Sequence, residues 1–408
     1  MKDFLPPPAQ ARAALAPLVR GDLDGERARR IFATYVWSWI IEPGDGVAGR
    51  LVATLGAEAA LHEVIGGGRD GLARDAASIS AKQWGEALER WRPRLGRTDL
   101  HHALDIARRA GLSLLTPEDP GWPAPLADLG DHAPLLLWVR GDVGALTRSP
   151  RSISVVGARA ATSYGEHVAM ELSADLAGQG VSIVSGAAYG IDGAAHRAAL
   201  TAGGTTIALL AGGADRAYPA GHGELIDRIA ASGAVVSEAP CGTTPTKWRF
   251  LQRNRLIAAL ADATVVVEAG WRSGSLNTAA HAAALSRPLG AVPGPVTSAA
   301  SAGCHRLLRE FDARCVTNSA DALELLGAAP ETLFDMPAAS TRGGRTDDTT
   351  RVRDAMSYRS WRPAVEIARR SGLAVSDVAG ILGLLSLEGE VIRGEEGWRR
   401  ARSGVPVA

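Results

Sequence analysis

The chain has 408 residues, and its 44 lysines and arginines balance 44 aspartates and glutamates, so the formal net charge is zero. A hydrophobic fraction of 46% and a charged fraction of 22% are typical of globular proteins and exclude disorder throughout the chain. The length predicts several domains. Because the net charge is zero, the overall charge of the chain gives no reason to expect a nucleic-acid partner.

The cysteines favour a reducing, cytoplasmic setting. Cys241, Cys304 and Cys315 are odd in number and too scattered for a disulfide framework or a CxxC metal pair. The first ten residues lack the apolar segment of a signal peptide. No run of about 18 apolar residues occurs, so we expect no transmembrane helix and no membrane partner.

The N-terminal part is predicted to be helical. From Glu26 to about Gly111, apolar residues recur at three- and four-residue spacing. Residues Pro43–Gly56 combine a Pro-Gly-x-Gly turn with an amphipathic helix. We favour an ordinary turn between packed helices, and the alternative is a helix-hairpin-helix whose backbone amides bind a DNA phosphate.

The central part is predicted to be an α/β fold with a doubly wound, mostly parallel sheet, because short β-branched runs alternate with helical patterns from Ser152 to about Leu326. The predicted strands are Ile153–Val156, Val181–Ser185, Thr206–Leu210, Val235–Ser237, Thr264–Glu268, Leu289–Val292 and Arg314–Val316. The predicted helices include Tyr164–Ala177, Asp192–Ala202, Glu224–Ser232 and Gln252–Ala261.

Loops rich in glycine and hydroxyl residues follow several of these strands. Ligands bind beyond the carboxyl ends of the strands in such sheets, where glycines allow close approach and helix N-termini offer free N–H groups to anions. Several such loops at one edge predict a phosphate-bearing ligand. The candidate binding residues in them are Gly157, Arg159, Thr162, Ser185, Gly186, Ser273, Gly274, Ser275 and Thr278.

The common catalytic and nucleotide motifs do not occur. GxGxxG after the first strand, GxxxxGK[ST], GxSxG and HExxH are all missing, so we expect no cofactor, no metal and no enzyme activity. Asp192 and His196 lie four residues apart on one predicted helix, and we interpret them as a helix-surface pair rather than a catalytic dyad. Glu268 is expected to accept hydrogen bonds from loop amides rather than act as a base.

The segment Thr244–Arg255 carries the clearest functional pattern. Four cations fall between Lys247 and Arg255 without an acid, with Trp248 and Phe250 among them, and Lys247 is one of only three lysines in the chain. Cations that bind phosphates, beside aromatic rings that stack bases, are typical of single-strand binding grooves. The alternative is a solvated basic helix start with the two rings as core anchors.

The C-terminal part is predicted to follow a linker at residues 327–350 that is rich in Pro, Gly, Ser and Thr. Ala364–Arg370 is predicted to be a helix, Ser376 the N-cap of a second helix, and Gly394–Gly397 the turn of a β-hairpin. This order suggests a winged helix. A small interaction module of the same shape without DNA contact is the alternative.

Five segments in this order resemble the motifs of the DNA-processing protein A (DprA/Smf) family. They are VVGARAATSYG, SGAAYGIDGAAH, IALLAGGADRAYP, SEAPCGTTPTKWRFLQRNRLIAAL and VVVEAGWRSGSLNTAAHAAALSRPLGAVPGP. The resemblance implies a Rossmann-like fold that binds single-stranded DNA, protects incoming DNA and helps load the RecA recombinase during natural transformation and homologous recombination. It also implies a homodimer through the central domain.

The resemblance also assigns residues and domains. Arg159 would be a phosphate contact, Phe250 would form an apolar pocket for a base, and the basic-aromatic loop would bind through Lys247, Phe250, Arg253, Asn254 and Arg255. The expected division is a helix-hairpin-helix or SAM-like helical domain at 1–112, the DNA-binding domain at 113–326, a linker at 327–350 and a winged helix at 351–408.

Two other functions remain open from the residues. One is a nucleotide-processing enzyme similar to phosphoribohydrolases, although their PGGxGTxxE signature does not occur and Ser273-Gly274-Ser275 is followed instead by Leu276-Asn277-Thr278. The other is an interaction scaffold for RecA and replication proteins.

Overall fold

The computed structural model describes residues 5–66, 72–96, 100–149, 151–327 and 348–401. Its N-terminal part is helical, as predicted. The helices are α1 (Pro8–Leu15), α2 (Gly25–Ile40), α3 (Gly46–Leu55), α4 (Ala57–Gly66), α5 (Leu72–Ala76), α6 (Ala81–Trp91) and α7 (Leu100–Arg109). Side chains cap several of them: Asp24 accepts from the Arg27 N–H at 2.7 Å before α2, and Ser80 and Gln83 form a capping box at α6.

The central part is built on a nine-stranded sheet, counted over the described residues. Its strands are β1 (Leu112–Leu115), β2 (Leu137–Gly141), β3 (Ser152–Val156), β4 (Ser182–Ser185), β5 (Thr206–Leu210), β6 (Ala234–Ser237), β7 (Ala263–Val266), β8 (Leu289–Ala291) and β9 (Arg314–Cys315). The strand order is β1-β2-β6-β5-β4-β3-β7-β8-β9, parallel from β6 to β9 and antiparallel at β1 and β2. The predicted strands and fold class are confirmed, and β1 and β2 add an antiparallel extension that the sequence analysis did not predict.

Helices cover both faces of this sheet, which makes it doubly wound. They are α8 (Ala145–Arg148), α9 (Ser163–Gly178), α10 (Ile191–Thr201), α11 (Gly223–Ser232), α12 (Lys247–Leu260), α13 (Ser275–Ala284), α14 (Ala302–Glu310) and α15 (Ser319–Glu324). One apolar core joins β3, β4 and β7 to α9 and α10, and another joins the sheet to α12, α13 and α14. The chain winds outward from β3 to β6 and then returns to place β7 beside β3, so the topological switch point lies between β3 and β7.

The N-terminal helices and the sheet share one apolar core. Leu112, Leu114 and Trp138 from the antiparallel extension are buried among side chains of α2, α4 and α6. The Tyr35 ring of α2 meets the Trp138 ring edge to face at 5.9 Å between centroids. The antiparallel strands therefore tie the helical part to the sheet.

The C-terminal part, residues 348–401, has its own core around Val352, Ile367 and Leu382. It consists of α16 (Asp348–Ala355), α17 (Ala364–Ser371), α18 (Val375–Leu387) and the antiparallel hairpin β10 (Val391–Gly394) and β11 (Gly397–Arg400). The predicted hairpin is confirmed. Ser376 as an N-cap is wrong: the N-cap is Ala374, two residues earlier, so Ser376 lies inside the first turn of α18. The winged-helix assignment stays a prediction, and residues 328–347 of the predicted linker lie outside the described residues.

Among the described helices, none is by itself long and apolar enough to cross a bilayer. Helices α17 and α18 reach that length and composition only when taken together, and they are bent by 107° with respect to each other.

Candidate nucleic-acid interface

The loops after β3 and β7 are tied together at the switch point. The Ala158 N–H donates to the Glu268 carbonyl at 2.6 Å, and the Glu268 carboxylate accepts from both the N–H and the hydroxyl of Thr162 at 2.8 Å each. Glu268 is buried, and its predicted role as an acceptor for the loop is confirmed. These bonds fix the loop that carries Arg159.

The glycines of the first two loops allow close packing inside the protein. A Cβ at Gly157 would lie 2.5 Å from a carbon of Ile191, and one at Gly186 would lie 2.2 Å from Nη1 of Arg253. Ser185 is buried and its hydroxyl donates to the Val155 carbonyl at 2.6 Å. Gly157, Ser185 and Gly186 therefore shape the floor of the site rather than its surface.

Arg159, Phe250 and Tyr218 come together above this floor and form what we call the Phe250 platform. The Arg159 guanidinium carbon lies 4.5 Å from the centroid of the Phe250 ring, and the Tyr218 ring lies 5.5 Å from it. Arg159 is exposed and Tyr218 is 45% exposed. Arg159 forms no ion pair within the ranges that the structure describes, so its charge is available to an anion.

Three of the predicted site residues of α12 face inward: Arg253, Asn254 and Arg255. The Arg253 guanidinium is buried and donates to the carbonyls of Gly186 and Leu209. Arg255 is buried and pairs with Glu238 at 2.8 Å. Asn254 donates to the Gly274 carbonyl at 3.3 Å and to Asn277 at 3.2 Å. All three hold α12 against neighbouring loops.

Burial also controls the charge beneath the platform. Burial lowers the pKa of Arg253 to about 10, against an opposing effect of Asp192. Burial raises the pKa of Asp192, although Arg253 and backbone amides oppose this shift. Arg253 therefore remains charged at neutral pH.

Asp192 and His196 are not the helix-surface pair that we expected. Both are buried because α10 packs against the sheet, and each has a different partner. Asp192 accepts from the Gly186 N–H at 3.1 Å, while Nδ1 of His196 lies 2.7 Å from the Thr206 hydroxyl. Burial lowers the pKa of His196 to about 3, so this ring is neutral at physiological pH.

The Ser-Gly-Ser loop after β7 is hydrogen-bonded to Asn254 through the Gly274 carbonyl. The hydroxyls of Ser273 and Ser275 are 2.7 Å apart, Gly274 is exposed, and Thr278 is buried one turn into α13. Ser273 and Gly274 are thus accessible to a ligand, whereas Thr278 is not.

Lys247 lies on a helix and not on the expected loop. α12 begins at Lys247 rather than at Gln252, because Thr246 caps it by accepting from the Arg249 N–H at 3.2 Å. The Lys247 side chain is exposed, and its backbone N–H donates to Asp354 of α16 at 3.0 Å. The side chain of Lys247 is therefore open to solvent, while its amide has a partner within the chain.

On its other side, the start of α12 joins a buried cluster that we call the Glu42 junction: Glu42, Arg94, Arg249 and Arg351. Arg249 donates to both Glu42 oxygens at 2.9 Å, and Arg94 donates to Oε1 of Glu42. Burial alone would raise the pKa of Glu42, but the guanidiniums of Arg249, Arg94 and Arg351 hold it well below its ordinary value of 4.5. A cavity of about 530 Å³ borders this cluster.

The Pro-Gly-x-Gly turn at Pro43 is hydrogen-bonded to side chains of the same chain. The Gly44 N–H donates to Glu238 at 3.3 Å, and the Asp45 carboxylate caps α3 by accepting from Val47 and Ala48. Nδ1 of His132 lies 2.8 Å from the Gly44 carbonyl. Because the carboxylates already hold these amides, the geometry favours an ordinary turn over a phosphate-binding hairpin.

Two exposed tyrosines at this edge were not among the predicted site residues. Tyr218 belongs to the Phe250 platform, and Tyr189, 49% exposed, lies 4.7 Å from the His222 ring. The sequence feature that could have identified them is an aromatic residue within or just after a glycine-rich loop that follows a strand. Across the described ranges, no group of three or more His, Cys, Asp or Glu side chains is placed to hold a metal ion.

Comparisons with known proteins agree on one family. The family model described as DNA recombination-mediator protein A matches residues 113–327. A putative DNA processing protein DprA of Mycobacterium tuberculosis is 47% identical over 316 residues, covering 75% of this chain and 81% of that relative. Protein Smf of Escherichia coli is 35% identical over 303 residues, covering 72% of this chain and 79% of that relative.

A solved structure gives the same result. The X-ray structure of DNA processing protein A from Streptococcus pneumoniae matches with a TM-score of 0.58 and 30% identity, covering 72% of this chain and 97% of that chain. The family model spans all but the first residue of the sheet, its switch point and the start of α12. The chain therefore belongs to the DNA recombination-mediator protein A family, the DprA/Smf family of DNA-processing proteins.

Proposed function

We propose that this chain binds single-stranded DNA along the carboxyl edge of its sheet and acts as a recombination mediator without catalysing a reaction or using a cofactor. The Phe250 platform carries this proposal. It places two aromatic rings and an exposed guanidinium, which forms no ion pair with any described residue, at the topological switch point, where sheets of this class bind ligands. Phosphates and bases of a single strand are the ligand that matches both features.

Each proposed contact has a separate role. Arg159 and the side chain of Lys247 bind phosphates, because both are exposed cations beside the platform. Phe250 and Tyr218 stack against bases. Arg253, Asn254 and Arg255 position α12 from below, and Thr162 holds the Arg159 loop.

Partners and domain roles follow from the family. We propose that the chain protects incoming DNA during natural transformation, helps to load the RecA recombinase and forms a homodimer through its Rossmann-like part. The proposed division is a helical domain at 1–112, a DNA-binding domain at 113–326, a linker at 327–350 and a winged helix at 351–408. The relatives' names, as DNA-processing proteins, support a DNA ligand.

The test is a salt titration of single-strand binding. Fluorescence anisotropy with a labelled oligothymidylate, at several NaCl concentrations, is run for Arg159→Ala and Lys247→Ala. Each variant is expected to bind more weakly and to flatten the slope of log K against log salt by about one unit. Arg197→Ala and Lys82→Ala remove exposed cations elsewhere and should leave the slope unchanged. Unchanged affinity and slope in both test variants would refute the proposal.

The same samples test the enzymatic alternative. The wild-type chain is incubated with nucleoside monophosphates, and free base is measured by chromatography. We expect no base release. Base release without single-strand binding would replace the mediator with a nucleotide-processing enzyme.

A further inference from the structure

The C-terminal part contacts the same helix start that we propose to bind DNA. Oδ2 of Asp354 in α16 accepts from the Lys247 backbone N–H at 3.0 Å. One turn earlier in α16, the Arg351 guanidinium lies 4.9 Å from the Trp248 ring centroid. A carboxylate of the C-terminal part thus occupies the first amide of α12.

A second set of contacts seats the C-terminal part on the N-terminal helices. Nε of Arg94 donates to the Arg369 carbonyl at 3.0 Å across this contact, and within the C-terminal part Arg351 donates to the Gly372 carbonyl at 3.3 Å. Gly372 has a φ of 71° and packs closely against the Glu42 junction. A Cβ at this position would lie 2.8 Å from Nη2 of Arg94 and 3.0 Å from Cγ of Glu42. The docking at Asp354 is therefore part of a shaped interface.

The start of α12 attracts a carboxylate and a phosphate for the same physical reason. The first turn of a helix carries unpaired N–H groups and a partial positive charge, and both attract anions. Thr246 satisfies the Arg249 N–H and Asp354 satisfies the Lys247 N–H. A phosphate that approaches the Lys247 side chain therefore meets the negative charge of Asp354 beside it.

We propose that the C-terminal part is an internal competitor of single-stranded DNA: Asp354 stands in for a phosphate at the start of α12, and DNA binding displaces it. This regulation rests on the proposed function, because it requires that DNA phosphates reach Lys247. The contact keeps the affinity of the start of α12 for DNA low until the DNA supplies enough phosphates to displace this one carboxylate.

The first test compares matched charge removals in the full chain. Binding of a labelled oligothymidylate is measured by anisotropy for the wild type, Asp354→Ala and Glu396→Ala. Glu396 is an exposed acid on the turn of the C-terminal hairpin, so its removal reports the general effect of one charge. Asp354→Ala is expected to lower the Kd about fivefold relative to Glu396→Ala. Equal or weaker binding by Asp354→Ala would overturn the proposal.

Lys247→Ala and Arg159→Ala, measured in the same series, distinguish failure of the proposed DNA site from failure of the proposed internal competition. If both bind more weakly while Asp354→Ala behaves like Glu396→Ala, the DNA site stands and the internal competition is wrong. If neither binds more weakly, the DNA site itself is wrong.

The second test follows displacement directly. Hydrogen–deuterium exchange is measured on the wild-type chain with and without the oligonucleotide. We expect the amides of α16 to exchange faster when DNA is bound, while those of α12 exchange more slowly. Unchanged or slower exchange in α16 would show that the C-terminal part stays docked or holds the DNA, and would overturn the proposal.

Discussion

At the Phe250 platform and at the Glu42 junction, an arginine lies on an aromatic ring of α12, at 4.5 Å for Arg159 on Phe250 and 4.9 Å for Arg351 on Trp248. The two rings are two residues apart, about 200° around the helix, so they face opposite sides. Arg159 is exposed and has no ion-pair partner among the described residues, whereas the junction surrounds a buried carboxylate. The comparison favours the platform as the ligand site, because an arginine whose charge is already balanced by a buried carboxylate has little left for an external anion.

Removing the carboxylate of the junction should have the largest effect. Glu42→Gln leaves Arg94 and Arg249 without their anion in a buried place, which costs about 3 kcal/mol of unfolding free energy. The measurement is urea denaturation followed by circular dichroism. Glu118→Gln breaks an exposed pair with Arg30 and should change the stability by less than about 1 kcal/mol. Equal stability of the two variants would contradict the role of the junction.

Removing the ring of the platform should weaken DNA binding and leave the junction intact. Phe250→Ala is expected to cost about 2 kcal/mol of single-strand binding free energy, because a stacking surface is lost. Phe250→Tyr keeps the ring and should bind like the wild type. Anisotropy gives both affinities, and circular dichroism checks that both variants are folded. If Phe250→Ala binds normally, the platform is not a base-stacking surface.

Acid should act on the junction through the low pKa of Glu42. Because this pKa is lowered in the folded state, Glu42 stabilises the fold above its unfolded pKa, near 4.5, and this stabilisation is lost as the pH falls toward the folded pKa. Between pH 7 and pH 3.5 the wild type should lose about 1 kcal/mol more than Glu42→Gln. Denaturation at both pH values measures the difference, and parallel losses in the two proteins would contradict the assignment.

The parallel strands were predicted correctly because β-branched runs are local signals, and the glycine loops after them pointed to the edge where we propose the site. The sequence did not predict that Arg253 and Arg255 face inward, since their carbonyl and carboxylate partners lie in other loops. The start of α12 was also missed. Cations are unfavourable in the first turn of a helix, and this obscured the local N-cap signal of Thr246.

The core shared by the N-terminal helices and the sheet has a consequence for how the molecule unfolds. Because Trp138 and Tyr35 bury each other's apolar surface, neither part keeps its packing when the other melts. We therefore expect these two parts to unfold as one cooperative unit. The C-terminal part has a separate core and is joined to them through hydrogen bonds, charges and a ring contact, so it can melt in its own transition.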